Sequence, residues 1–231
     1  MAEVVILPGL DGTARLLEGF CSRLRALGVP ARAIAYPTDR PMGYLELERL
    51  VRAQLPASAA FVLLGESFSG PVAIQIASNP PKGLKGLVLS TTFARAPVPG
   101  ISPLAALVRF APARPPMRLL SWALLGRWAT PDLETALTEA LRLVSPDVIR
   151  ARAAATLRVD VSGLVSTVRV PALQLVALQD RLLAPSAPRA LAASLQACTT
   201  VKVSGPHLLL QASTERCAQE VAAFALALGP N

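Results

Sequence analysis

Short β-branched apolar runs alternate with segments whose apolar residues recur every three or four positions, and this alternation restricts the chain more than any other feature. Glu3-Val4-Val5-Ile6-Leu7 is the first run and stops at Pro8-Gly9. Leu16, Leu17, Phe20, Leu24 and Leu27 follow at helical spacing, and Gly28 closes that helix. Ala31 to Tyr36 is a second strand, stopped by Pro37, and Tyr44, Leu47, Leu50 and Val51 mark a second helix ending near Pro56. Phe61 to Gly65 is a third strand. A third helix runs from Phe68 to Asn79-Pro80-Pro81, and Gly86 to Ser90 is a fourth strand. Strands this apolar are buried on both faces, and strands separated by helices pair in parallel. An α/β protein follows, its parallel sheet covered on both sides.

The alternation lapses between residues 94 and 168, where no strand is predicted. Ser102-Pro103, Thr130-Pro131 and Ser145-Pro146 each set a capping hydroxyl before a proline at the first helical position. A further helix is expected from Met117 to Leu125, after the breaker at Pro112 to Pro116. Roughly four helices therefore interrupt the sheet. Pro171 to Leu178 resumes it, a helix follows near Ala187 to Leu195, Thr199 to Val203 is the last strand, and a closing helix runs from Ala212 to Leu228. The expected organisation is a core of residues 1–93 and 169–231 with a helical insertion at 94–168.

The chemistry centres on Phe61-Val62-Leu63-Leu64-Gly65-Glu66-Ser67-Phe68-Ser69-Gly70. A strand that turns directly into a helix forces its apical residue into an unfavourable backbone conformation, and only small neighbours leave room for it. Ser67 stands at that apex, its hydroxyl projecting above the sheet edge at a helix N-terminus. A serine hydroxyl is a poor nucleophile at neutral pH and needs a base, a group to orient that base, and donors for the developing oxyanion. His207 is the only histidine in the chain and follows the last strand, at the sheet edge where ligands gather in open α/β folds. Asp180 follows the strand before it, in Gln179-Asp180-Arg181; Asp160, at the end of the helical insertion, is its rival as the acid. The oxyanion donors are expected to be the amides of Phe68, at the helix N-terminus, and Leu10, in the Gly-rich loop Leu7 to Gly12. Glu66 is read as a group that packs or hydrogen-bonds beneath the site, and Asp11 as a brace of the loop or a cap of the first helix.

Taken in order, the Pro-Gly loop, the strand–serine–helix turn, the helical insertion, Asp180 and His207 resemble a small, capped bacterial member of the α/β-hydrolase superfamily over essentially the whole chain. The resemblance implies Ser67 as nucleophile, His207 as base, Asp180 as orienting acid, and the Leu10 and Phe68 amides as oxyanion hole. It implies a six-stranded all-parallel sheet of order 2-1-3-4-5-6, because the chain begins at the strand that bears the oxyanion loop. One departure stands out. Ser69 occupies the place of the second glycine of G-x-S-x-G, with Gly70 after it. Serine is small, so the turn is expected to survive. The implied reaction is hydrolysis of a carboxylic ester through an acyl-enzyme, with no metal or organic cofactor. Thioester hydrolysis, C–C bond hydrolysis, acyl transfer, methyl-ester cleavage on an acyl carrier protein, a lyase step in cofactor biosynthesis, or mere binding with little turnover would fit the same groups.

Composition bears on partners. The chain has 231 residues, a net charge of +8, and only 4% aromatic residues; its arginines are scattered, which argues against a nucleic-acid surface. No apolar run of membrane-spanning length and no signal peptide is evident, so a cytoplasmic location is expected. Cys21, Cys198 and Cys217 are an odd number in no metal-ligand spacing and are read as free thiols. Within the insertion, Phe110, Met117, Trp122, Trp128 and many leucines supply its small core and, in part, an apolar acyl pocket over the serine. Arg109, Arg114, Arg118, Arg127, Arg142, Arg150, Arg152 and Arg158 are read as solvated, or as a basic rim for an acidic partner such as an acyl carrier protein.

Overall fold

A computed structural model describes residues 2–96 and 116–229. Six parallel strands form one sheet: β1 (Glu3–Leu7), β2 (Ala31–Ala33), β3 (Phe61–Glu66), β4 (Leu84–Ser90), β5 (Ala172–Ala177) and β6 (Cys198–Val203). Their order is β2-β1-β3-β4-β5-β6, as the resemblance implies. Successive side chains of a strand point to opposite faces, and the two faces have separate cores. Val4, Ile6, Val62, Leu64, Val88, Leu173 and Leu175 pack under α1 (Glu18–Ala26) and α10 (Thr214–Ala227). Val5, Leu7, Phe61, Leu63, Leu87 and Leu89 pack under α2 (Tyr44–Arg52) and α3 (Gly70–Ser78). Every residue of β3 is buried, as its unbroken apolar run requires of a central strand.

Register decides what meets at the upper edge of the sheet. Leu7 lies beside Gly65, and Gly65 beside Leu89. The loop after β1 therefore emerges next to Glu66 and Ser67, and those next to Ser90 and Thr91. β2 is shorter than predicted and ends at Ala33, because Tyr36 N–H leaves the ladder for the Gly12 carbonyl at 2.8 Å.

Between β4 and β5 lie α4 (Met117–Leu124), α5 (Pro131–Arg142), α6 (Pro146–Thr156) and α7 (Ser162–Val165), and no strand among the described residues. The two predicted caps that fall there are formed: Thr130 Oγ1 accepts from Leu133 N and Ser145 Oγ from Val148 N, each at 3.3 Å. The predicted start at Ser102-Pro103, with Phe110, Arg109 and Arg114, lies outside the described residues. After β5, α8 (Ser186–Ser194) leads to β6. The closing helix begins at Thr214, two residues later than predicted, and is preceded by a single turn, α9 (Leu209–Ala212). Its break at Ser213 is held by Ser213 Oγ, which donates to the Ser204 carbonyl at 2.8 Å. No helix among the described residues is long and apolar enough to cross a membrane.

Candidate active site

β3 delivers Ser67 to the sheet edge with φ +47°. A non-glycine residue there costs on the order of 1–3 kcal/mol, which the surrounding contacts must offset. They do so by close approach. A Cβ on Gly65 would lie 2.8 Å from Ala73 Cβ and 2.9 Å from the Ser69 carbonyl oxygen, and one on Gly70 would lie 1.9 Å from Thr92 Oγ1. Thr92, just past β4, donates its hydroxyl to the Ser67 carbonyl at 2.5 Å and so fixes the strained turn from outside.

Ser67 Oγ is 2.8 Å from His207 Nε2, and His207 Nδ1 is 2.8 Å from Asp180 Oδ2. The other carboxylate oxygen, Oδ1, accepts from the amides of Leu182 at 2.8 Å and Leu183 at 3.0 Å. Burial works to raise the Asp180 carboxyl, but the His207 hydrogen bond and charge and the two amides outweigh it and hold it below the usual carboxylate range. An ionised Asp180 keeps the proton on Nδ1, which leaves the Nε2 lone pair facing the Ser67 hydroxyl. His207 is buried at 3% exposure. Asp160 is elsewhere: its carboxylate accepts from Ser162 and pairs with Arg95 on the surface. Of the two candidate acids, only Asp180 meets the histidine.

The loop after β1 lies across the turn, held at each residue. Ser69 Oγ donates to the Pro8 carbonyl and accepts from Tyr36 O–H at 2.7 Å. The serine in the expected glycine place is therefore a buried tie between the two loops, a role its size alone did not suggest. Gly12 N–H donates to the Gly9 carbonyl at 3.1 Å, so the Gly9–Leu10 peptide is fixed with the Leu10 N–H on its opposite side. Leu10 N–H has no partner among the described residues, and Phe68 N–H is one of those a helix start leaves unpaired. Asp11 braces the loop, accepting from Thr13 N at 2.9 Å and Thr13 Oγ1 at 2.6 Å. Glu66 lies beneath it, bonded by Gln211 Nε2 of α9 at 2.9 Å and by the Gly9 amide. Burial pushes its carboxyl up to about 7; Gln211, His207 and Gly9 pull it down, and the charge of Asp11 adds to the rise.

A cavity of about 230 Å³ opens on Ser67, Leu10, Phe68 and His207. Leu120 and Leu124 of α4, Leu137 and Leu141 of α5, and Thr156 of α6 roof it, and among the described residues no lysine or arginine lines it. Neither tryptophan of the insertion is among its walls: Arg181 stacks over the exposed Trp122 and Arg127 over Trp128. A larger cavity, about 440 Å³, lies between β5, β6 and α8; it touches Asp180 but not Ser67 or His207, so it does not serve the hydroxyl. Among the described residues no group of three or more His, Cys, Asp or Glu could hold a metal ion. The sequence reading missed Thr92, Tyr36, Gln211 and Arg152 around this site, whose partners all lie far away along the chain.

No family model matches the sequence, and no curated protein matches it. Solved structures do. An esterase from Thermogutta terrifontis superposes with a TM-score of 0.80 at 18% identity, covering 100% of this chain and 91% of that one. An esterase from Exiguobacterium antarcticum gives 0.81 at 13% identity, covering 98% and 92%. An enol-lactonase from Burkholderia xenovorans gives 0.70 at 20% identity, covering 98% and 92%. What these proteins share with the chain is architecture over nearly its full length, and the chain is accordingly a protein of the α/β-hydrolase fold.

Proposed function

We propose that the protein is a serine hydrolase of carboxylic esters, with residues 94–168 as a cap over the site. The observation that carries the reading is the unbroken relay Ser67–His207–Asp180 at 2.8 Å per step, opening into an apolar cavity. Ser67 Oγ attacks the ester carbonyl carbon while its proton passes to His207 Nε2. Asp180 holds the imidazole and stabilises the imidazolium. The carbonyl oxygen becomes an oxyanion facing the Leu10 and Phe68 amides, which are placed before the charge develops. Collapse of the tetrahedral adduct breaks the C–O bond, and the alcohol leaves with the proton from His207. Water, deprotonated by His207, then attacks the acyl-serine and releases the acid. The developing imidazolium is stabilised by Asp180, and the oxyanion on the substrate by the two amides.

The cavity favours a small, uncharged, apolar acyl group, since leucines form its roof and no cation lines it among the described residues. An acidic carrier protein is less favoured. Of the arginines read as a basic rim, Arg152 is interior and Arg150 pairs with Asp147. The esterases and the enol-lactonase of similar fold are consistent with ester chemistry. Thioester cleavage, C–C cleavage and acyl transfer would use the same three groups. The test is a fluorophosphonate probe together with p-nitrophenyl esters and acyl thioesters of graded length. Wild-type protein is expected to label and to prefer oxygen esters of short or medium acyl groups, and Ser67→Ala to do neither. An unlabelled, inactive wild type overturns the reading.

A further inference from the structure

Arg152 is the largest fully buried side chain among the described residues, at 2% exposure. It comes from α6, in the segment between β4 and β5, yet its guanidinium lies within the loop after β1. Nη1 donates to the Leu10 carbonyl at 3.0 Å and the Asp11 carbonyl at 2.6 Å, and Nη2 to the Pro37 carbonyl at 2.8 Å. The group sits 5.7 Å from the Tyr36 ring centroid and against the backbone of Gly12, where an added Cβ would come within 2.4 Å of Nη1. Gly12 has φ +69°, so the loop is bent around the guanidinium with a residue that tolerates both the angle and the contact. Burying a cation costs several kcal/mol unless its donors are used and a countercharge is near. Here three carbonyls accept from it, and the Asp11 carboxylate supplies the countercharge.

We propose that Arg152 is a positioning residue for the oxyanion site, setting the loop that carries the Leu10 amide; this rests on the ester-hydrolase reading above. Leu10 N–H and Leu10 C=O flank one Cα. The Gly9 carbonyl is fixed by Gly12 N–H and the Leu10 carbonyl by Arg152. Between them they leave the Leu10 N–H one direction, toward the cavity. Ser69 performs the matching task at Pro8 from the nucleophile side. The helices over the cavity therefore do more than enclose an acyl group: α6 supplies the guanidinium that aims the donor. When α6 is displaced, Ser67, His207 and Asp180 keep their contacts, which do not involve α6, while the oxyanion site loses its setting.

The test compares wild type with Arg152→Ala and Arg152→Lys, using kcat and KM for a p-nitrophenyl ester and the Ki of an alkylboronic acid, whose tetrahedral serine adduct occupies the oxyanion site. Losing an oxyanion donor outright costs roughly 10²–10³ in kcat. Mis-setting it is expected to lower kcat about 10- to 100-fold for Arg152→Ala, with KM within threefold and boronate affinity falling in parallel. Arg152→Lys, which keeps the charge but not the fork, should lie between the two. Methylguanidinium at millimolar concentration should restore part of the alanine variant's kcat. A folded Arg152→Ala with kcat within twofold of wild type, or a loss confined to KM, overturns the proposal. If the alanine variant does not fold, Arg152→Lys carries the same comparison. If wild type itself neither labels nor turns over, the ester reading falls alone. Hydrogen exchange of the Leu7–Leu17 segment then decides: faster in Arg152→Ala with α3 unchanged supports the positioning role, and no change refutes it.

Discussion

Gly70 is the tightest backbone position beside Ser67, and Gly70→Ala is the substitution that examines the turn most directly. The new methyl would sit 1.9 Å from Thr92 Oγ1, 2.6 Å from its Cγ2 and 2.7 Å from its Cβ. All three atoms belong to one short, β-branched, buried side chain with few rotamers to escape into. Thr92 must move, and its hydrogen bond to the Ser67 carbonyl breaks as it does. Overpacking of this kind costs about 1–3 kcal/mol, and the lost bond about 1 kcal/mol. Alanine's better helix propensity at the start of α3 returns up to about 1 kcal/mol. The expected net destabilisation is about 2 kcal/mol. Thr92→Gly removes all three clashing atoms, so the double variant should recover the steric part, giving a coupling of about 1–3 kcal/mol in a double-mutant cycle. Urea denaturation followed by far-UV circular dichroism measures the four proteins. Turnover should fall roughly tenfold or more in the single variant, because a displacement near 1 Å at a reacting group has that scale of effect. A Gly70→Ala cost under about 0.5 kcal/mol, or additivity within about 0.5 kcal/mol across the cycle, would refute the steric account.

Asp180→Asn should lower kcat by about 10⁴, since an amide favours the wrong imidazole tautomer, whereas Asp160→Asn should stay within about twofold; equal effects in steady-state kinetics would reverse the assignment of the acid. Glu66 gives a stability prediction of the less common sign. Its carboxyl titrates near 7 when folded against 4.5 as the ordinary value. Between those pH values the folded state binds more protons than the unfolded one. Stability should therefore fall as pH rises from about 4.5 to 7, by up to about 3 kcal/mol from this group. Glu66→Gln should flatten that slope in urea titrations at pH 5, 6, 7 and 8; an unchanged slope would show that the carboxyl ionises freely.

Most strands, and the placing of Ser67, His207 and Asp180 at strand ends, were legible in the sequence, whereas the sheet order came with the resemblance to the α/β-hydrolases. Most strands carry apolar runs, though β6 includes Thr199, Thr200 and Lys202, and strand ends are where an open α/β sheet gathers its ligands. The histidine offered no alternative. Strand position favours Asp180 over Asp160, and Asp180 is the one that lies 2.8 Å from the histidine. What could not be read are interactions whose partners are remote and ordinary. Ser69 bonds Pro8 and Tyr36, 61 and 33 residues away, and looks in the sequence like a small spacer. Arg152 is one of nine arginines between residues 94 and 168, and no local pattern distinguishes this one, which turns inward. The large apolar residues of that segment, tryptophans and leucines together, suggested its own small core and, in part, a pocket lining. Of the residues expected there, the described structure places the leucines on the cavity and leaves Trp122 and Trp128 off it, Trp122 under Arg181.

The solitary imidazole has a spectroscopic consequence. In most proteins the ring nitrogens of a buried histidine must be picked out from several overlapping signals. Here isotope labelling of histidine alone marks one side chain, 2.8 Å from both the serine hydroxyl and the aspartate. Its two nitrogen resonances report which nitrogen carries the proton, and they do so in the whole chain, without mutagenesis and without a substrate. Charge rearrangement at the centre of the molecule is thus written into a single resonance pair.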